Sequence, residues 1–174
     1  MSLLVDPPFA LGQTLGVSST ADGTGWVGAV KEFTDVNPTT GKIRSNRRKV
    51  CVACRNTSGA ALLPKKLVTV SVIGDAGSYN AAAGNEYVGV VDEFLPTAGV
   101  AANDVFWLTI EGPTDVLADA AVSAGDAIAS DAAATAGAAT AGRVVATTTN
   151  SIGRAVSAAA AAGDAILAIV KTKA

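Results

Sequence analysis

Histidine is absent from this chain of 174 residues. With it go the commonest general base, the usual partner of a Ser or Cys nucleophile, and the commonest metal ligand. The 15 acidic residues stand apart in turn-like contexts, as at Asp75, Asp104, Asp115, Asp126 and Asp164, and no acidic pair has a catalytic spacing. The expectation is a protein that is not an enzyme and carries no cofactor. Aromatics are scarce at 5% and the large aliphatics are diluted by alanine. Apolar burial per residue is therefore modest, and an oligomer or a host surface is expected to supply the rest. No run of 18 apolar residues escapes a charge or a Gly-Asp break, and MSLLVDPPF is too short and acidic for the apolar core of a signal peptide. The prediction is a soluble protein with no membrane partner.

Cysteine is limited to Cys51 and Cys54, a lone CxxC. A zinc site needs a second pair of ligands, which neither Cys nor His can provide here. A redox pair needs a helix start, whereas KVCVACRN alternates like a strand and sends the two side chains to opposite faces. Both are expected to be reduced, structural and metal-free, as suits assembly in a cytoplasm. Asn56-Thr57-Ser58 matches a glycosylation acceptor, but no leader precedes it and the match is read as accidental.

What the chain has in abundance is alanine, valine and glycine. Of the 57 residues from Ala118 to Ala174, 23 are Ala, interrupted by Gly125, Gly137, Gly142, Gly153 and Gly163. Each internal Gly costs a helix about 1 kcal/mol against Ala, which points to strands. AGDAI occurs twice, at Ala124 to Ile128 and Ala162 to Ile166. Gly supplies positive φ freely and Asp bonds back to its own backbone, so each copy reads as a tight turn feeding a strand. Gly-rich stretches elsewhere lack GxxxxGK[ST] and a following helix, so they are turns and not phosphate loops.

Strand-like segments run along the body: Trp26 to Phe33, Leu67 to Ile73, Glu86 to Val91, Asp104 to Ile110, Val144 to Thr148 and Ala165 to Val170, each β-branched or aromatic and bounded by turn residues. Ala155 to Ala162 could form a helical turn or two. The predicted fold is all-β, an antiparallel β-barrel or sandwich, with an extended N-terminal arm at residues 1–25 and a β-rich body at 26–174, whose late small-residue strands occupy 118–174. In the arm, Pro7 and Pro8 suppress helix and central strand. Leu3, Leu4, Val5, Phe9 and Leu11 then belong either to a frayed terminus or to an arm that docks on a neighbouring subunit.

From Lys42 to Lys66 there are eight basic residues and no acidic one. The window includes Arg44, Arg47 and Arg48 as candidate partner contacts. Three readings apply: a solvated basic face, contact with an acidic protein surface, and nucleic-acid binding. Stacking aromatics are missing from the window and the chain is net negative with a pI of about 5.0, which argues against nucleic acid.

Ala102-Asn103-Asp104, then Phe106-Trp107-Leu108-Thr109-Ile110-Glu111-Gly112-Pro113, AGDAI, Ile152-Gly153-Arg154-Ala155 and a final Gly-Asp strand together resemble small phage virion proteins that decorate or cement the capsid. The resemblance covers residues 62 to 174. It implies a non-enzymatic structural protein on the capsid surface, made in the host cytoplasm and bound to the major capsid protein. It also implies a homo-oligomer, with a trimer favoured. It brings no catalytic, cofactor or metal residues. The alternative is another virion module, such as a head fibre base, a tail component or a receptor-binding component.

Overall fold

A computed structural model of the chain describes residues 9–16, 26–72, 75–79, 88–131 and 141–172. Among them there is no α-helix, and eleven strands run in chain order. They are β1 (Thr14–Leu15), β2 (Val30–Val36), β3 (Ile43–Asn56), β4 (Leu67–Val72), β5 (Asp75–Tyr79), β6 (Val88–Val91), β7 (Val105–Leu117), β8 (Ala127–Ser130), β9 (Val144–Ala146), β10 (Gly153–Ala155) and β11 (Ala165–Lys171). The all-β expectation holds. The strand path is β2-β3-β5-β4-β6-β7-β11-β10-β8-β9, open at β2 and β9, and its pairings are antiparallel except β3–β5.

Two local readings change. Trp26 to Gly28 form a turn, closed by the Ala29 amide donating to the Trp26 carbonyl at 2.9 Å with Gly28 at φ 88°, so β2 starts at Val30. Ala155 to Ala162 form no helix, because Ala159 pairs with Val122 and its amide is thereby taken.

The register reveals a tandem repeat. Leu62 exchanges both backbone hydrogen bonds with Val100, as Val122 does with Ala159. Val91 bonds Lys65 and Lys66 as Ala155 bonds Gly125 and Asp126. Leu67 opposes Val90 and Val91 opposes Leu108; in the second copy Ala127 opposes Arg154 and Ala155 opposes Ala168. Positions 67 and 127, 105 and 165, and 108 and 168 are thus equivalent, all sixty residues apart. The additional β3–β7 pairing closes β3, β5, β4, β6 and β7 into a ring. The parallel bridge Ala118–Val144 does the same for β7, β9, β8, β10 and β11. The long strand β7 belongs to both rings.

Burial follows the repeat. Cys54, Leu62, Val68, Val91, Val100, Phe106 and Leu108 fill the first ring. Their equivalents Val116, Val122, Ile128, Ala155, Ala159, Ile166 and Ala168 belong to a second cluster. That cluster also takes Leu67, Val88 and Val90 from the outer side of the first ring, so the rings are fastened by apolar contact. A third cluster, on the opposite face of β3 and β7, contains Phe9, Leu11, Cys51, Ala53, Val105 and Trp107. Each fully buried Leu or Val side chain contributes about 1.5–3 kcal/mol.

Gly125 (φ 93°) and Gly163 (φ 91°) hold the turns before β8 and β11. Asp126 accepts from the Ser123 amide at 2.8 Å, and Asp164 accepts from the amides of Ala160 and Ala161 at 3.0 and 2.9 Å. Both AGDAI copies therefore do what their composition predicts.

Candidate partner-binding surface

The residues predicted to meet a partner divide into three groups. Leu3, Leu4 and Val5 lie outside the described residues. Phe9 and Leu11 are buried in their own chain. The Phe9 ring stacks on Trp107 with centroids 4.6 Å apart, and Trp107 Nε1 donates to the Phe9 carbonyl at 3.1 Å. The Gly12 amide donates to Asp92 Oδ2 at 2.5 Å and β1 pairs with the start of β7, so residues 9–16 lie against the body. Desolvation of the enclosed Asp92, aided by the charge of Glu93, pushes its pKa up to about 6 against the amides of Gly12 and Phe94 and the charge of Lys49.

Arg44, Arg47 and Arg48 sit close in sequence and have separate fates. Arg44 turns inward: it donates to Asp35 Oδ1 at 2.9 Å, to Glu93 Oε1 at 2.7 Å and to Asp115 Oδ1 at 3.1 Å. Burial alone lowers the pKa of its guanidinium, and the carboxylates of Glu93, Asp115 and Asp35 reverse that and raise it. Lys49 is fully buried and donates to the same Glu93 oxygen at 2.6 Å; Thr114 donates to the other at 2.7 Å. Ser45 donates to Asp35 Oδ2 at 2.9 Å, and the Phe94 ring lies 5.1 Å from both the Arg44 and the Lys49 cations. Glu93 thus locks β3 to β7 from the turn after β6, with both its oxygens engaged.

Arg48 is exposed and shared between Glu32 at 2.9 Å and Glu111 at 3.8 Å, pairs worth about 0–1 kcal/mol each. Lys65 reaches Asp115 at 3.4 Å. Burial, and then the charge of Arg143, lower the Lys66 pKa against Asp119. The basic window, unrelieved in sequence, is largely neutralised in space by acids from distant elements. Asp35, Glu93 and Asp115 carried no sequence signal for this role, since only the fold brings 35, 93 and 115 together.

Arg47 stands apart. In the β2–β3 register Thr34 opposes Arg48 and Asp35 opposes Ser45, so Asn46 and Arg47 bulge out of the ladder. Arg47 is exposed, with no carboxylate partner among the described residues, and borders a shallow cleft of about 190 Å³ lined by Glu32, Phe33, Thr34, Asn46 and Arg48. Lys42, at the hairpin tip, is likewise exposed without an acidic partner there.

Cys51 and Cys54 are buried thiols outside any disulfide, on opposite faces of β3, as the alternation predicts. Burial pushes the Cys51 thiol up to about 12, so it stays protonated at neutral pH. Among the described residues no group of three or more His, Cys, Asp or Glu is arranged to hold a metal ion.

No family model matches the chain, and no curated protein matches it. Among solved structures the chain is similar to the N base of the head fibre gp8.5 of bacteriophage phi29, at 19% identity over 71% of this chain and 94% of that one, with a TM-score of 0.44.

Proposed function

We propose that this chain is a structural virion protein that decorates an icosahedral phage capsid and stabilises it by binding the lattice of the major capsid protein. The observation that carries the reading is the role of the residues bearing the sequence resemblance. Asn103-Asp104, the AGDAI copies and Ile152-Gly153-Arg154-Ala155 are the turns and strands of two fused β rings, and so serve as framework. A closely paired framework with an outer edge strand suits a decoration protein.

The mechanism is linkage. A ligand of the assembled shell that has no affinity for free subunits stabilises the shell by RT ln(1 + [L]/Kd), about 2.7 kcal/mol per site at a hundredfold excess over Kd. A trimer at a symmetry axis strengthens this, because its second and third contacts are intramolecular. Co-sedimentation with undecorated heads tests the proposal. Full-length protein is expected in the pellet at micromolar concentration, saturating at a stoichiometry set by capsid symmetry. Protein that stays in the supernatant refutes it, and pelleting with tails or fibres instead would identify another virion module. A chain starting near Thr24, compared in the same assay, tells whether residues 1–23 take part.

A further inference from the structure

The β2–β3 hairpin is an addition to the repeat. Neither ring uses β2, and among the described residues no strand pairs with its outer side, yet the hairpin is held by the most elaborate polar network there. Arg44, Ser45 and Asp35 tie its middle to Glu93 and Asp115, and the buried Lys49–Glu93 pair ties its base. A hairpin fastened this way presents its outward residues in fixed geometry. Those residues are Lys42 and Arg47, without acidic partners among the described residues, and Ile43, 61% exposed. Five of the eight cations in the window are matched to named carboxylates or opposed by a neighbouring one: Arg44, Arg48, Lys49, Lys65 and Lys66. The charge left without an acidic partner among the described residues is that of Lys42 and Arg47, positive on a chain whose net charge is −2.

We infer that the β2–β3 hairpin is the contact through which this protein engages an acidic protein surface, with Arg47 donating to a partner carboxylate from the bulge. The inference rests on the decoration reading for the identity of the partner and on the hairpin for its chemistry. Arg47 can offer a carboxylate two parallel N–H groups, and Glu32, which lines the same cleft, is already engaged by Arg48. Ile43 adds an apolar surface of the kind that loses water on contact, and Lys42 steers approach over a screening length of about 8 Å at physiological ionic strength.

The test compares full-length protein with Arg47→Glu, Arg47→Lys and, as a control of the same charge change on β10 of the second ring, Arg154→Glu. Each is assayed by co-sedimentation with undecorated heads and by fluorescence anisotropy with a labelled hexaglutamate peptide. Because Arg47 and Arg154 are both exposed, all variants are expected to melt close to the parent. Arg47→Glu is expected to weaken both interactions at least tenfold, Arg47→Lys less, and Arg154→Glu not at all, with the parent's peptide affinity falling as salt rises from 50 to 500 mM. Equal binding by Arg47→Glu and parent in both assays overturns the inference. So does displacement of the peptide by duplex DNA at 150 mM salt with higher affinity, which would make the hairpin a nucleic-acid contact. Peptide binding that depends on Arg47 while heads are ignored leaves the hairpin's chemistry standing and overturns the decoration reading alone.

Discussion

Replacing Glu93 by Gln keeps the shape of the side chain and removes the charge that balances Lys49 and Arg44. Lys49 has no exposure at all, and its 2.6 Å bond to Glu93 Oε1 is the shortest in the network. Without the carboxylate a buried ammonium is left beside a guanidinium that retains Asp35 and Asp115. Breaking a buried pair from one side costs about 3–5 kcal/mol, a large part of the 5–15 kcal/mol that holds a typical domain together. For a chain of this size that is a fall in melting temperature of about 6–20 °C. Adding Lys49→Met to Glu93→Gln removes the orphaned charge, so the double variant is expected to recover part of the loss, with a coupling of about 1–3 kcal/mol. Urea denaturation of the four proteins of this cycle supplies the numbers. A Glu93→Gln protein within about 1 kcal/mol of the parent, or a double variant no better than the single, would show that water reaches the pair and that the network does not anchor the hairpin.

Three further outcomes follow from the same geometry. The Asp92 pKa is raised to about 6 in the folded protein from about 3.9 unfolded, so the folded state binds its proton more tightly. The stability this contributes is full below about pH 4 and lost as pH rises through 6; urea midpoints of the parent, relative to Asp92→Asn, should therefore decline between pH 4 and 7. Gly153→Ala would press a methyl group onto the Ile169 carbonyl and to 2.9 Å from Val170 Cα, costing about 1–3 kcal/mol. Gly125→Ala meets nothing within 4 Å and bears only the strain of φ 93°, so thermal melts should rank it the milder of the two. Arg154 occupies in the second ring the position of Val90, which packs from the outer side of the first ring into the second ring's cluster, and it is exposed. Arg154→Val is expected to turn this polar end surface sticky and raise concentration-dependent self-association in sedimentation velocity.

The strands were legible where pattern and propensity agreed. Leu67 to Val72 and Ala165 to Lys171 are β-branched or alternating, and the Gly-Asp turns before β8 and β11 carry their chemistry openly. The repeat was hidden because its copies use different residues for one backbone need. The positive φ supplied by Gly125 and Gly163 is supplied in the first ring by Lys65 (φ 64°) and Asn103 (φ 69°), so the two AGDAI copies mark the two turns of one ring and not the repeat itself. AANDVF at 101–106 and AAGDAI at 161–166 do carry the true period of sixty, under a change from Asn to Gly. The length of β7 was obscured because the strand-like run ends at Ile110, just before Gly112-Pro113; in the fold Gly112 (φ 107°) lets β3 approach closely and Pro113 sits in register with Ile169. The partner residues were the least legible part. A run of basic residues says nothing about which acids the fold will bring to it, and here Arg44 is claimed three times over while Arg47, three positions on, is left outward.

The most direct test of the central claim is a cryo-EM map of virions from a phage that encodes this chain. The account predicts density matching the two fused rings on the outside of the head, repeated at symmetry-related positions, with the β2–β3 hairpin against acidic side chains of the major capsid protein. Heads without that density, or the chain found only in a tail or fibre, would contradict it.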